Sequence, residues 1–241
     1  MKKQCLPILL SLACAGQVFG AKVIPNQAIA NLVLGQTDFV TNSVALDSAF
    51  NLQSPSAVVI DPMSRKVFVC DGDNSRILRY PSADALTNGS GAEAVFGQPR
   101  FSSSSSAGGD LGLNAPRDLF FDRKGRLWVS DRSNNRVLMY EAASYRSSNS
   151  YPDKVLGQPD FSTTTSGTTS SKMNVPCGLW VDADDRLWVA EYSNNRVLRF
   201  DSVSSKANGA AADGVLGQSV FTTSTAGSGA AGMSGPEGLA V

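Results

Sequence analysis

Ten residues recur twice at an interval of 60: Asp71-Gly-Asp-Asn-Ser-Arg-Ile-Leu-Arg-Tyr80 returns as Asp131-Arg-Ser-Asn-Asn-Arg-Val-Leu-Met-Tyr140 and as Glu191-Tyr-Ser-Asn-Asn-Arg-Val-Leu-Arg-Phe200. Self-similarity at a fixed period means one supersecondary unit built several times over, each copy burying its apolar face against the next. The chain is therefore expected to fold as an array of like units.

Each copy reads as four short strands. A proline opens it (Pro55, Pro116, Pro176 and, for a fourth copy, Pro236), and an apolar run ending in aspartate follows: Val58-Val59-Ile60-Asp61, Leu119-Phe120-Phe121-Asp122, Leu179-Trp180-Val181-Asp182. The aspartate and its polar followers predict a tight hairpin turn, one residue longer in the first copy. The second strand is Val67-Phe68-Val69, Leu127-Trp128-Val129 or Leu187-Trp188-Val189, and the third is the Arg-Ile-Leu or Arg-Val-Leu segment. The fourth is Val95 to Gln98, Val155 to Gln158 or Val215 to Gln218; an orphan copy of it, Val33 to Gln36, precedes the first complete unit. No segment has a helical period beyond a turn at Ser82 to Ala85. Short strands repeated in fours predict an all-β chain of propeller blades.

The run from Pro176 to Leu198, Pro-x-Gly-Leu-x-Val-Asp, then Arg-Leu-Trp-Val-Ala-Glu, then Asn-Asn-Arg-Val-Leu, resembles the NHL repeat. The resemblance spans residues 31–241 and implies a six-bladed β-propeller. On that reading residues 31–37 are an orphan outer strand. Blades occupy 55–98, 116–158 and 176–218, and 236–241 begin another. The copies exceed the usual NHL length through Ser/Thr/Gly-rich inserts at 101–109, 161–172 and 221–232, which read as linkers or as part of a binding face. Three and a half blades fall short of six, so the sequence is expected to continue past Val241. If it does not, two copies would have to combine as a homodimer.

Residues 1–20 read as a secretory signal: Lys2-Lys3, the apolar stretch Leu6 to Gly16, and Val18-Phe19-Gly20 at the cleavage site, with 21–30 as a short leader. The apolar run is too short to be a transmembrane segment. The expected location is secreted or periplasmic; lipid attachment at Cys14 is the alternative. The whole chain carries 21 basic and 21 acidic side chains, and cleavage removes two lysines and no acid. Nucleic-acid binders carry a basic excess, so nucleic acid is not an expected partner. Cys70 and Cys177 remain after cleavage, at non-equivalent places in the repeat, and are expected to be partly buried free thiols.

The repeat also sorts side chains by role. Those present in every copy are explained by blade geometry, and those that change from copy to copy are free to carry function. Asp71 with Arg76, Asp131 with Arg136 and Glu191 with Arg196 fall in the first group, as ion-paired turns bridged by Asn74, Asn134 and Asn194. Trp128 and Trp188 read as core between blades. The residue after each proline falls in the second group: Ser56, Arg117, Cys177 and Glu237. The first strand lines a propeller's central channel, so these residues are expected around one mouth, with Arg132, Tyr192 and the inserts beside them. The competing reading is that loop-top positions vary because nothing constrains them.

The chain has no histidine. Ser-His-acid and Cys-His hydrolysis therefore lack a base within these residues, and no metal or cofactor is expected. The resemblance implies recognition through one face, with a protein or a cell-envelope glycan as partner. The alternative it allows is a gluconolactonase-like hydrolase, in which calcium would sit in the channel. Glu237 is the one acidic member of the visible mouth column.

Overall fold

Each copy of the repeat folds into its own four-stranded antiparallel sheet. The structure is a computed structural model that describes residues 30–41 and 48–240. The first sheet contains β1 (Pro55–Ile60), β2 (Lys66–Asp71), β3 (Arg76–Ser82) and β4 (Ala94–Phe96). The second contains β5 (Leu119–Phe121), β6 (Leu127–Asp131), β7 (Arg136–Tyr140) and β8 (Lys154–Leu156). The third contains β9 (Pro176–Val181), β10 (Leu187–Glu191), β11 (Arg196–Phe200) and β12 (Gly214–Leu216). Neighbours in sequence are neighbours in each sheet. The register repeats as well, with Val69 opposite Leu78, Val129 opposite Leu138 and Val189 opposite Leu198. The remaining regular structure is short 3-10 turns, and no helix among the described residues is long and apolar enough to cross a membrane.

A sheet covered on both faces needs near-continuous apolar strands rather than alternating ones. β6 and β7 are buried at every residue. Between the first and second sheets Phe68 meets Phe121 with ring centroids 5.1 Å apart, and Phe96 meets Tyr140 at 5.5 Å, both edge to face. Between the second and third sheets Trp128 is wholly buried among Val181, Leu187 and their neighbours, and its indole N–H donates to Asp122 Oδ2 at 2.8 Å. Trp188 makes the same bond to Asp182 at 2.9 Å but is only half-buried. The expectation that both tryptophans are core holds for Trp128 alone, since no further sheet among the described residues covers Trp188.

Each repeated acid and arginine form a wholly buried ion pair: Arg76 to Asp71 and Arg136 to Asp131 at 2.7 Å, and Arg196 to Glu191. The arginine also ties the repeat's loops together. Arg136 donates from Nη2 to the carbonyls of Gly109 (3.0 Å) and Gly112 (2.8 Å) in the insert before its blade, and from Nη1 to Phe161 in the insert after it. Arg76 and Arg196 do likewise, through Asn51 and Phe101 and through Thr169 and Phe221. Gln158 adds bonds to Asn135 and Thr165 carbonyls, both 2.9 Å, matched by Gln98 and Gln218. The inserts are thus anchored loops and not free linkers.

The chain enters each unit through a sharp joint. Ser54, Ala115, Val175 and Gly235, each just before a proline, have φ of +52°, +46°, +57° and +53°. Proline disfavours the right-handed helical region for its predecessor, and the left-handed one costs a residue with a Cβ about 1–2 kcal/mol. Side chains of the preceding blade hold the joint: Val175 N–H donates to Asn135 Oδ1 at 3.0 Å and Gly235 N–H to Asn195 Oδ1 at 2.8 Å.

Three details differ from the sequence reading. Val33 to Gln36 forms no ladder, although Val33 still accepts Gly89 N–H at 3.1 Å, as Val95 accepts Asn149 N–H at 2.8 Å. Gly238 to Ala240 is not a paired strand, and Val241 lies outside the described residues. The fourth strands end at Phe96, Leu156 and Leu216, because Gly97, Gly157 and Gly217 turn the chain out at φ of +82°, +84° and +85°. The signal and the Cys14 alternative also lie outside the described residues. Leu32 to Val241 form one unit; Ala30 and Asn31, the described end of another, have no regular structure.

Candidate binding face

All the turns between second and third strands, and all the inserts, emerge at the end of the sheets where the first strands begin. Gly72, Arg132 and Tyr192 hold equivalent places at the start of those turns, each directly after the repeated acid. Ser75, Asn135 and Asn195 close the turns in the left-handed region, at φ of +49°, +54° and +51°. The repeated acid fixes the turn from below: Asp131 Oδ1 accepts Asn114 N–H at 2.8 Å, and Oδ2 accepts Asn134 Nδ2 at 2.8 Å.

On this base the structure links four of the six predicted mouth residues, Arg117, Arg132, Cys177 and Glu237, and seats Tyr192 against Gly235, two residues before Glu237. Arg117 and Glu237 pair at 3.5 Å, both about half exposed. Cys177, between them in the repeat, is 2% exposed and lies beside Arg132. Tyr192 is 43% exposed and packs its ring against Gly235, where an added Cβ would stand 2.9 Å from the ring. Ser56 belongs to the first blade and donates to the Pro116 carbonyl at 3.3 Å, so it joins blades and does not meet the charged group.

Both described cysteines are free and buried, more deeply than expected. Burial pushes the Cys70 thiol up to about 12, and pushes Cys177 up as well against the pull of Arg132. Since the thiolate is the reactive form, neither should be alkylated by iodoacetamide at pH 8 in the native chain. Peptide mapping should find both labelled only after denaturation; native labelling of Cys70 would contradict the burial.

One residue escaped the sequence reading. Asp118 stands where the other copies have Ala57, Gly178 and Gly238, and its carboxylate spans two blades: Oδ1 accepts Leu119 N–H at 2.9 Å and Oδ2 accepts Leu179 N–H at 2.8 Å. Its own N–H donates to Ser130 Oγ at 2.8 Å, just before β5 begins. Burial raises its pKa, opposed by those two N–H groups and Arg117. The same comparison of copies, carried one residue beyond Arg117, finds it.

The calcium alternative fits poorly. A hard cation needs several free oxygen ligands, but Glu237 faces Arg117 and both Asp118 oxygens accept backbone N–H groups. Among the described residues no three His, Cys, Asp or Glu side chains gather as a metal site.

Three blade-like sheets stacked in sequence order define the class: the chain is an all-β protein built of β-propeller blades. A structural genomics protein of unknown function from Bacteroides thetaiotaomicron is similar to it, with a TM-score of 0.51 and 16% identity over 77% of this chain and 42% of that one. A catalytically inactive virginiamycin B lyase from Staphylococcus aureus, solved with quinupristin, is 15% identical with a TM-score of 0.39, covering 63% of this chain and 39% of that one. A periplasmic gluconolactonase from Pseudomonas aeruginosa is 16% identical with a TM-score of 0.44, covering 66% and 39%. The chain therefore spans about two fifths of the length of these structures. Neither a family profile nor a curated protein matches the sequence.

Proposed function

We propose that the chain belongs to an exported, non-catalytic binding module of NHL type, which recognises a protein or a cell-envelope glycan through the face that bears Arg117, Tyr192 and Glu237. One observation carries this reading. The side chains that break the repeat at this end gather on a rigid, hydrogen-bonded base, with an exposed ion pair and an exposed tyrosine. Arginine and tyrosine are the residue types that most often anchor an interface. The lactone-hydrolase alternative has no comparable support, for want of a ligand set.

The test is binding of the full chain to purified cell-envelope polysaccharide and to immobilised envelope protein. Replacing Arg117 and Tyr192 together by alanine should weaken whichever partner binds by about 30-fold, the effect of losing one interface anchor. Unchanged affinity would move the site elsewhere. Calcium-dependent lactone hydrolysis by the same preparation would overturn the non-catalytic reading.

A further inference from the structure

The opposite end of the sheets holds a cleft of about 520 Å³ that the sequence reading did not foresee. It lies among the hairpin turns after the first strands and the loops after the third strands. Met63, Glu141 and Tyr145 line it, together with Asp61, Lys124 and Ser144.

Comparing copies shows that this end also departs from the repeat. Met63, Lys124 and Asp184 hold one turn position, each backbone N–H donating to the turn aspartate's Oδ1 at 3.0, 2.9 and 2.9 Å. Tyr145 stands where the other 3-10 turns have Ala85 and Ser205. Met63 and Tyr145 are 73% and 76% exposed, two apolar side chains on one cleft.

The electrostatics of the cleft are uneven. Asp122 and Asp182 are each paired with an arginine, Arg126 at 2.6 Å and Arg186 at 2.7 Å, and each accepts a tryptophan N–H. Asp61 has neither partner, since Phe68 replaces the tryptophan and Lys66, in the place of the arginine, pairs with Glu93. Its hydrogen-bond donors are neutral: Met63 N–H at 3.0 Å, Ser64 N–H at 3.3 Å and the hydroxyls of Ser64 (2.5 Å) and Ser144 (2.6 Å). Burial opposes ionisation of this 3%-exposed carboxyl, but the Ser144 and Ser64 bonds outweigh it and hold its pKa below the usual value. Among the described residues the Glu141 carboxylate makes no ion pair. The nearby ammonium of Lys154 is committed to the carbonyls of Val203 (2.9 Å) and Ser204 (3.0 Å), and that of Lys124 to Ser204 Oγ (2.5 Å) and Asp185 (3.5 Å). Arg126, which also lines the cleft, and Lys124 are matched by Asp122 and Asp185, which leaves Asp61 and Glu141 against the single ammonium of Lys154, so the carboxylates around the cleft outnumber the cations by one.

We propose that this cleft is a second binding site, for a small organic cation whose ammonium group lies between Tyr145 and Glu141 and whose apolar body rests on Met63. An aromatic face attracts a cation through its quadrupole, the thioether of methionine adapts to an apolar surface, and the carboxylates supply the counter-charge.

Choline and its neutral isostere 3,3-dimethylbutan-1-ol are the probes, titrated calorimetrically into the full chain. Choline should bind saturably and the isostere at least tenfold more weakly. Tyr145→Ala and Glu141→Gln, both at exposed positions, should each weaken choline about tenfold. The Arg117 and Tyr192 double substitution at the other end should leave choline binding unchanged. Equal affinity for the isostere, unchanged affinity in both cleft variants, or no choline binding at tens of millimolar would each overturn the proposal.

Discussion

Alanine at position 136 is expected to lower the free energy of unfolding by about 3–5 kcal/mol, the cost of leaving a buried charge without its partner. The Arg136 guanidinium and the Asp131 carboxylate are both 0% exposed, so water cannot replace the lost bond. The carbonyls of Gly109, Gly112 and Phe161 lose their donor in the same step, which releases the inserts on both sides of the second blade. A lysine at this position should rescue little, because its point charge cannot replace the planar fork that reaches the acid and three carbonyls at once. Replacing both partners, Asp131→Asn with Arg136→Met, should recover part of the loss, since no charge is then stranded. Urea denaturation measures all three; a loss below about 1 kcal/mol for the alanine variant, the level of an exposed pair, would contradict a buried hub.

The second large effect contrasts two tryptophans in the same repeat position. Trp128→Ala should cost about 3–5 kcal/mol, as expected for truncating a large buried side chain. Trp188→Ala should cost less, because part of that ring stays in water on folding. Both indoles donate to an aspartate, at 2.8 and 2.9 Å, so that bond cancels in the comparison and burial decides it. Equal losses would mean that something covers the third blade in solution.

The strands were legible because period, turn chemistry and apolar runs all point to the same elements. Asp71, Arg76 and their copies could be read as structural because each blade needs them. Val33 to Gln36 has the letters of a fourth strand, but a strand is a pairing as well as a sequence, and among the described residues no third strand lies beside this copy. Trp188 carries the same letters as Trp128, and only the neighbouring sheet distinguishes their burial. At the candidate face, Arg117, Cys177 and Glu237 depart from the repeat and lie together in the structure. Asp118 obeys the same rule one position further on, where the other copies carry Ala57, Gly178 and Gly238. The cleft at the other end was illegible for a different reason. Met63, Glu141 and Tyr145 come from two blades, and nothing in their sequence spacing brings them together.

The left-handed residue before each proline decides the direction in which the next blade departs, and it does so within a few bonds of backbone. The inserts that precede it are pinned as well, by the repeated arginine and by Phe101, Phe161 and Phe221 packed against the blade cores. Only the stretches between those anchors can take new sequences on this face without disturbing the core, blade by blade.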